Sequence, residues 1–385
     1  MEYAAERINR IIDAPVVRVR KLFKNTHPRL DLSQGIPFFS PSEDMVKDLF
    51  SKGQKENFNI YSPDQGRERF RNLLCEHLSN YNINSTPEEI VVTPGANQAA
   101  FMIFCLLFSP GDEIILFKPY YFNHFMSLKI LGLNPLIVDT DENLKIDPEK
   151  LSDKITPRTR AIVVVSPNNP SGSMVDKSTV FDLIEIADKF GLYIISDEAY
   201  HDFCWDKSHF SPLTTNYPKV IGIWSFSKSY GISGWRLGWM KLPPSLVGNI
   251  LKIADCTHIC TPVISQLLGE KLITDDPKMP ERFGGEILTN RNLLLNMFKD
   301  RELEKKITVY PSWGGFYIFL GLKPSSNLQG WEVVEQLAKK HKIAVMPGEP
   351  FGMTGTPFIR ISYGNLKHYV LQQNLNRLKQ GLVNI

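Results

Sequence analysis

The sequence lacks the features of membrane, secreted and strongly charged proteins. Its longest apolar run, "AAFMIFCLLF" from Ala99 to Phe108, has ten residues. That is about half of what a membrane-spanning helix needs, so the run predicts a buried helix. The N-terminal segment alternates charged and apolar residues and has no secretory core. A net charge of +3 favours neither nucleic acid nor an anionic membrane as a partner. These absences predict a soluble, cytoplasmic protein.

Cysteine is also scarce. The chain has five cysteines in 385 residues, an odd number without zinc-ribbon spacing. Cys256 and Cys260 are four residues apart and could share a helix face, but buried free thiols are the better interpretation. We therefore expect no metal site and a reducing compartment.

Between about Ile90 and Met240, short β-rich runs alternate with helical segments. Several runs are apolar throughout, as expected of strands that are covered on both faces. This alternation predicts an α/β domain with a mainly parallel, seven-stranded sheet between layers of helices. The strand candidates are "EIVVT", "DEIILF", "NPLIV", "RAIVVVS", "GLYIISD", "KVIGIWS" and "WRLGWM".

The C-terminal third has a different pattern. A long helical stretch precedes "VYPSWGGFYIFLGL", "GWEVVEQLAKKH", "IAVMPG" and "FIRISYG", which predicts a smaller α+β domain. The N-terminal segment lacks enough strands for a sheet of its own and is expected to pack with that domain. We therefore predict a large domain over residues 47–280 and a small domain from residues 1–46 and 281–385.

Polar motifs follow the predicted strands at the edge where ligands of open α/β sheets bind. They are "TPGAN", "SPNNPSG", "SDEAY" and "SFSK". Lys228 in the last of these is surrounded by small hydroxyls and aromatic rings, and Arg236 follows eight residues later. A desolvated amine beside a cation has a lowered pKa, as a nucleophile requires.

Taken together, these motifs resemble the class I/II aminotransferases among the fold-type-I pyridoxal-phosphate enzymes, which include aspartate, aromatic and kynurenine aminotransferases. The resemblance runs from "LDLSQGIPFF" to "FIRISYG", and "SFSKSYGISGWRLG" matches the signature Ser-x-Ser-Lys…Gly-x-Arg-x-Gly. It implies ping-pong transfer of an amino group from an L-amino acid to a 2-oxo acid. The cofactor would be pyridoxal 5'-phosphate, held as a Schiff base on Lys228.

The resemblance also implies a role for each polar motif at the cofactor. Lys228 would carry the substrate α-proton. A guanidinium and the amides at a helix N-terminus suit a phosphate. The implied phosphate contacts are Gly95, Ala96, Asn97, Ser225, Ser227 and Arg236. Alternatively, the Ser225 hydroxyl could simply bond its own backbone.

The cofactor ring has its own implied contacts. The Asp197 carboxylate would pair with the pyridine nitrogen, unless it serves only as a helix N-cap. Tyr200 and Asn169 would bond the ring oxygen, with Asn168 the weaker amide candidate. Tyr121 would stack on the ring, with Tyr120 as a rival.

Three further residues follow from the resemblance. Arg360 would bind the substrate α-carboxylate as a bidentate clamp, beside Asn169 and Tyr121. Gly35 would bring the backbone close to the substrate. Tyr61 would reach the phosphate of a neighbouring subunit, which predicts a homodimer.

The substrate class rests on a departure from the family pattern. Asn97 stands where a bacterial branch of aspartate aminotransferases has a lysine for the distal carboxylate, and an amide cannot neutralise a buried carboxylate. We expect a neutral or aromatic amino acid, with Phe38, Phe39, Tyr121 and Phe351 near the entrance. "LSQGIPFF" also resembles the "QGxPxF" opening of kynurenine aminotransferases.

Two alternatives stay open at this point. The same scaffold could catalyse β-elimination, cyclisation or oxidation of an amino acid, because all begin with the same carbanion. A ligand sensor that has lost activity would also keep the fold. The complete set of candidate catalytic residues argues against the sensor.

Overall fold

The computed structural model describes residues 5–9, 11–23, 27–52, 58–206, 208–323 and 328–385. The strands of these residues are β1 (Leu30–Asp31), β2 (Ile90–Thr93), β3 (Glu113–Lys118), β4 (Asn134–Asp139), β5 (Thr159–Val165), β6 (Tyr193–Asp197), β7 (Val220–Ser225), β8 (Gly238–Lys241), β9 (Ile307–Val309), β10 (Tyr317–Leu322), β11 (Ile343–Ala344), β12 (Met346–Pro347) and β13 (Phe358–Ser362). The helices are α1 (Glu6–Asn9), α2 (Pro15–Lys21), α3 (Glu43–Lys52), α4 (Glu68–Ser79), α5 (Ala96–Leu107), α6 (Phe122–Ile130), α7 (Lys177–Phe190), α8 (Phe226–Ser229), α9 (Pro244–Thr257), α10 (Val263–Asp275), α11 (Met279–Phe298), α12 (Arg301–Lys306), α13 (Gly330–Gln336) and α14 (His368–Val383).

The central sheet has seven strands in the order β2-β8-β7-β6-β5-β3-β4. All neighbouring pairs are parallel except those of β8, which runs antiparallel to both β2 and β7. Each strand lies at one of the seven predicted runs, so the predicted α/β fold with a mainly parallel sheet is confirmed. The strand order places the carboxyl ends of β5, β6 and β7 side by side.

Both faces of the sheet are covered, and this explains the continuous apolar runs. Ile114 and Leu116 of β3 join one core cluster, which includes Ile103 of α5. Ile115 of β3 points to the opposite face and joins another cluster, which includes Leu183 of α7. Because neighbouring side chains of a strand alternate between faces, a strand that is buried on both faces cannot show a polar alternation.

The last strand of the sheet begins later than predicted. The run "WRLGWM" predicted a strand from Trp235, but β8 begins at Gly238. A short 3₁₀ turn covers Ser233–Trp235, and Arg236 follows with φ at 53°, in the left-handed region. That backbone conformation is incompatible with an extended strand, so Arg236 is not part of β8.

A second sheet is antiparallel, in the order β12-β13-β10-β9. Next to it, the N-terminal strand β1 pairs in parallel with β11, so the N-terminal segment does associate with the C-terminal third. The domain boundaries stay a prediction. The limit at residue 280 falls in the first turn of α11, and residues 1–4, 10 and 24–26 lie outside the described residues.

The cysteines are free, but they are less buried than expected. Cys256 is exposed near the end of α9, and Cys260 is half-buried. Within the described ranges, no group of three or more His, Cys, Asp or Glu side chains is arranged to hold a metal ion. None of the helices in the same ranges combines the length and the apolar character that a bilayer crossing requires.

Candidate active site

A cleft of about 560 Å³ opens at the carboxyl ends of three parallel strands. Val165, Asp197 and Ser225 are the last residues of β5, β6 and β7, and all three line it. This is where ligands bind in open α/β sheets. The predicted site residues that line the cleft are Ala96, Asn97, Tyr121, Asn169, Asp197, Tyr200, Ser225, Ser227, Lys228 and Arg236.

Lys228 lies in the short helix α8, directly after β7. Its Nζ donates to the carbonyl oxygen of Gly35 at 2.5 Å. The backbone of Gly35, which was expected to lie close to the substrate, thus contacts the lysine. Desolvation, with the nearby charges of Arg360 and Arg236, lowers the pKa of the Lys228 amine to about 8, and Asp197 opposes this shift. An appreciable fraction of the amine is therefore uncharged near neutral pH, as a nucleophile requires.

One end of the cleft presents a set of hydrogen-bond donors. Gly95 is the N-cap of α5, with φ at 90° and no side chain to cap the first N–H groups, which lack acceptors within the helix. A Cβ at Gly95 would lie 2.6 Å from Nη2 of Arg236, so glycine is needed for the two to meet. Arg236 donates to the carbonyls of Ser233 (2.8 Å) and Pro94 (3.2 Å). Together these groups could bind an anion.

Two serines border the same end. Oγ of Ser225 accepts the backbone N–H of Ser227 at 3.1 Å, so the local bond considered as an alternative for Ser225 is present. An accepting hydroxyl can still donate its own hydrogen. Both serine side chains line the cleft and can therefore contribute donors to an anion there.

Asp197 is a buried carboxylate that lines the cleft. Its Oδ1 accepts the N–H of Ala199 at 3.1 Å, a local turn bond of the kind considered as an alternative. Its Oδ2 accepts from Nε2 of His124 at 3.0 Å. Nδ1 of His124 has no hydrogen-bond partner among the described residues. The carboxylate is thus held in place beside the cleft.

Tyr121 and Tyr200 contribute phenol side chains to the cleft. The hydroxyl of Tyr121 donates to Oδ1 of Asn97 (3.4 Å) and accepts from Asn123 (2.8 Å). Burial raises the pKa of Tyr121 to about 12. The hydroxyl of Tyr200 lies 2.6 Å from that of Tyr317. The rival Tyr120 instead stacks on Phe125, away from the cleft.

Arg360 is a buried cation without an acidic partner among the described residues. Its side chain is 2% exposed. Nη1 donates to Oδ1 of Asn169 (2.8 Å) and Nη2 to the carbonyl oxygen of Ser33 (2.5 Å), whereas Nε has no hydrogen-bond partner in the described part of the chain. A buried charge of this kind is costly unless an anion compensates it. Asn168, by contrast, uses its side-chain oxygen for Ser171.

Some candidates lie away from the cleft. Tyr61 is 74% exposed on the surface. Phe39 stacks on Phe283, and Phe351 is fully buried, so these two rings belong to the core and not to an entrance. Phe38 packs against Phe39 and Phe283. Of the four aromatic rings expected at the entrance, only Tyr121 lines the cleft.

Sequence reasoning missed His124 and Tyr317. His124 lies three residues after Tyr121, at the start of α6, so helical spacing from an established candidate could have pointed to it. Tyr317 is the first residue of β10, and no local motif connects it to Tyr200, which precedes it by 117 residues.

Comparison with known proteins shows the family of the chain. The family described as "Aminotransferase class I and II" matches residues 28–378. A probable aspartate aminotransferase of Methanocaldococcus jannaschii is 30% identical, over 94% of this chain and 96% of its own. An aromatic aminotransferase of Arabidopsis thaliana is 28% identical, over 96% and 94%. The solved structure of a single mutant of Thermus thermophilus aspartate aminotransferase superposes with a TM-score of 0.90 at 26% identity, over 99% of this chain and 100% of that one. The chain belongs to the class I and II aminotransferase family.

Proposed function

We propose that the protein uses pyridoxal 5'-phosphate to transfer an amino group from a neutral or aromatic L-amino acid to a 2-oxo acid. The observation that carries this proposal is a cleft that contains a lysine of lowered pKa and a buried carboxylate, and whose Asn169 accepts a hydrogen bond from the buried guanidinium of Arg360. Among the described residues that guanidinium has no acidic partner. An amine, a general acid–base and an anchor for a carboxylate are what this reaction needs.

The donor set of the cleft fits this cofactor. The α5 N-terminus, the two serines and Arg236 would hold the phosphate. Lys228 would hold the aldehyde carbon as a Schiff base, and Asp197, fixed by His124, would keep the ring nitrogen protonated. When bound, the cofactor supplies an electron sink for the negative charge that develops at the substrate α-carbon.

The remaining steps belong to the side chains of the protein. The Lys228 amine accepts the proton of the substrate α-carbon and returns it, because its pKa near 8 allows both protonation states. Tyr200 and the amide of Asn169 would donate hydrogen bonds to the ring oxygen of the cofactor. Oδ1 of Asn169 is already bonded to Arg360, so the N–H₂ group of the same amide is left to donate. Tyr121 would limit the tilt of the cofactor ring by contact with its face.

Arg360 is proposed as the anchor of the substrate carboxylate. A carboxylate would compensate the buried charge and give Nε the acceptor that it lacks among the described residues. The guanidinium lies over the ring of Tyr317, 4.5 Å from its centroid, which helps to hold it in place. Fixing the carboxylate also fixes the α-carbon relative to Lys228.

A neutral or aromatic side chain is proposed for the substrate. The cationic side chains among the cleft-lining residues are Lys228 and Arg236, and both have roles at the cofactor. Asn97, the position of the lysine in one aspartate-specific branch, carries no charge and accepts a bond from Tyr121. A second carboxylate of the substrate would therefore be buried without a cation from these residues.

The proposed function predicts a defined response to the twenty amino acids. Neutral and aromatic amino acids should bleach the visible absorbance of the holoprotein, and a 2-oxo acid should restore it. We expect a kcat/KM for aspartate at least about tenfold below that for phenylalanine, since an unpaired buried carboxylate is costly. Two-substrate kinetics should give parallel double-reciprocal lines.

Two controls sharpen this test. Asn97→Lys should raise the kcat/KM for aspartate relative to that for phenylalanine. Asn97→Gln should leave the kcat/KM for phenylalanine above that for aspartate, as in the wild-type protein. Release of ammonia or peroxide without a 2-oxo acid would favour elimination or oxidation over transamination. Bound cofactor that no amino acid bleaches would instead favour a sensor.

A homodimer that shares its active sites is also proposed. Ile60 and Tyr61 are 61% and 74% exposed and adjacent, and large exposed apolar side chains of this kind suit a contact with a second copy of the chain. In a twofold dimer, the phenol of Tyr61 would reach the phosphate in the neighbouring cleft.

Mixing two variants tests the shared site. Tyr61→Ala should weaken cofactor binding, and Lys228→Ala should be inactive. In a mixed dimer, one cleft has its own Lys228 and an intact Tyr61 from its neighbour, so mixing should restore about a quarter of the wild-type activity. Strictly additive activity, or a monomer by analytical ultracentrifugation, would contradict the proposal.

A further inference from the structure

Tyr200, which lines the cleft, and Tyr317 form a buried pair of phenols. Their hydroxyl oxygens are 2.6 Å apart, and the two side chains are 6% and 1% exposed. Burial raises the pKa of both phenols above the ordinary value for tyrosine. Both therefore keep their protons at neutral pH, and the pair has two hydrogens for one mutual hydrogen bond.

The second hydrogen needs an acceptor, because an unpaired buried donor is costly. Tyr200 lines the cleft and Tyr317 does not. The hydroxyl of Tyr317 is pressed against Gly35, where an added Cβ would lie 1.9 Å from it. Among the described residues, Tyr317 has Tyr200 as its hydroxyl partner. Only Tyr200 can therefore direct its hydrogen into the cleft, which leaves Tyr317 to donate to the oxygen of Tyr200.

We propose that Tyr317 is a positioning residue, whose hydroxyl donates to Tyr200 so that Tyr200 directs its own hydrogen at the ring oxygen of the cofactor. The inference rests on the proposed function, because it requires that cofactor. A hydroxyl that accepts a hydrogen bond becomes a stronger donor in turn. Tyr317 thus strengthens the bond that Tyr200 makes.

The charged surroundings of the pair favour this direction. The Arg360 guanidinium lies 4.5 Å from the centroid of the Tyr317 ring, and its positive charge lowers the pKa of both phenols against the effect of burial. The other titratable groups around this pair of phenols are Tyr121, Asp197 and Lys228. A cation on the side of Tyr317 makes that hydroxyl the better donor of the two.

The test is the pH titration of the visible absorbance of the holoprotein, which needs no turnover. Donation from Tyr200 stabilises negative charge on the ring oxygen and so lowers the pKa of the Lys228–cofactor linkage. Tyr317→Phe weakens that donation and should raise this pKa by roughly 0.5 to 1 unit, the equivalent of one hydrogen bond. Tyr363→Phe is the matched control, because it removes another buried hydroxyl that bonds Trp205 and Gly315. This control should leave the pKa unchanged.

A double variant separates positioning from a general structural effect. If Tyr317 acts through Tyr200, then Tyr200→Phe with Tyr317→Phe should titrate like Tyr200→Phe alone. Additive shifts, or an unshifted Tyr317→Phe, would overturn the inference. Should Tyr317→Phe not fold, 3-fluorotyrosine at position 317 provides a more acidic donor and should lower the pKa; an unchanged or raised pKa contradicts the inference. A wild-type protein without the chromophore would refute the proposed function instead.

Discussion

Lys228→Ala should leave a folded protein that has neither the visible chromophore nor measurable amino-group transfer. The variant loses both the amine that would hold the cofactor and the base that would move the substrate proton. Loss of the general base alone lowers turnover by about 10²- to 10⁴-fold, so we expect a decrease of at least about 10³-fold. The measurements are the absorbance spectrum and the rate with the best amino acid of the screen.

Lys219→Ala is the matched control for this variant. Lys219 precedes β7, the strand that leads to Lys228, and its amine donates to the carbonyl oxygen of Gly191 away from the cleft. The control should keep both the spectrum and the rate. Borohydride reduction and peptide mapping of the wild-type protein should label residue 228. A label on a different lysine would refute the assignment.

The lowered pKa of Lys228 adds a dependence on pH. The neutral amine is the nucleophile, and the pKa of Lys228 is about 8. The rate at which the apoprotein binds the cofactor covalently should therefore rise about tenfold per pH unit below 8 and level off above it. A rise that continued to pH 10 would mean that the amine is not desolvated.

Arg360→Ala should lower the kcat/KM for amino acids far more than the kcat/KM for amines that have the same side chain. The guanidinium is buried, and its two recorded acceptors are neutral oxygens, so a substrate carboxylate would be its charged partner. Removing one member of a buried charge pair costs about 2 to 5 kcal/mol. We expect kcat/KM for the amino acid to fall by about 100-fold or more, and that for the amine to change little.

The ratio of the two kcat/KM values is the decisive quantity, since lost stability would lower both. Arg291→Ala is a suitable control, because Arg291 is also buried but pairs with Asp206 and the carbonyl oxygen of Ser312. It should leave the ratio unchanged even if it destabilises the fold. Equal losses for amino acid and amine in Arg360→Ala would show that Arg360 does not bind the carboxylate.

The candidate site could be predicted wherever its residues follow from local order. The segment "SFSKSYGISGWRLG" contains Ser225, Ser227, Lys228 and Arg236 within twelve residues, so their proximity needs no long-range information. The other motifs end neighbouring strands, and in a parallel sheet the carboxyl ends meet at one edge. This is why Asn169 and Asp197 were correctly expected near Lys228.

The aromatic entrance could not be predicted in the same way. Phe39 and Phe351 were expected there on residue type, yet both are core residues. Aromatic side chains suit an entrance and a core equally well. The residue type alone therefore does not tell whether a ring faces the cleft or the core. Phe39 lies in the core because it stacks on Phe283, which is 244 residues later in the chain.

Amino-acid order alone was enough for the sheet, the lysine segment and the family, because strand periodicity, turn residues and motif spacing are local properties of the chain. Only the folded chain brought His124 to Asp197, Tyr317 to Tyr200, and Gly35 to Lys228 across 193 residues. It also left Arg360 buried without an acidic partner among the described residues. These features depend on which distant elements pack together, and burial then determines the energy of each charge and each hydrogen bond.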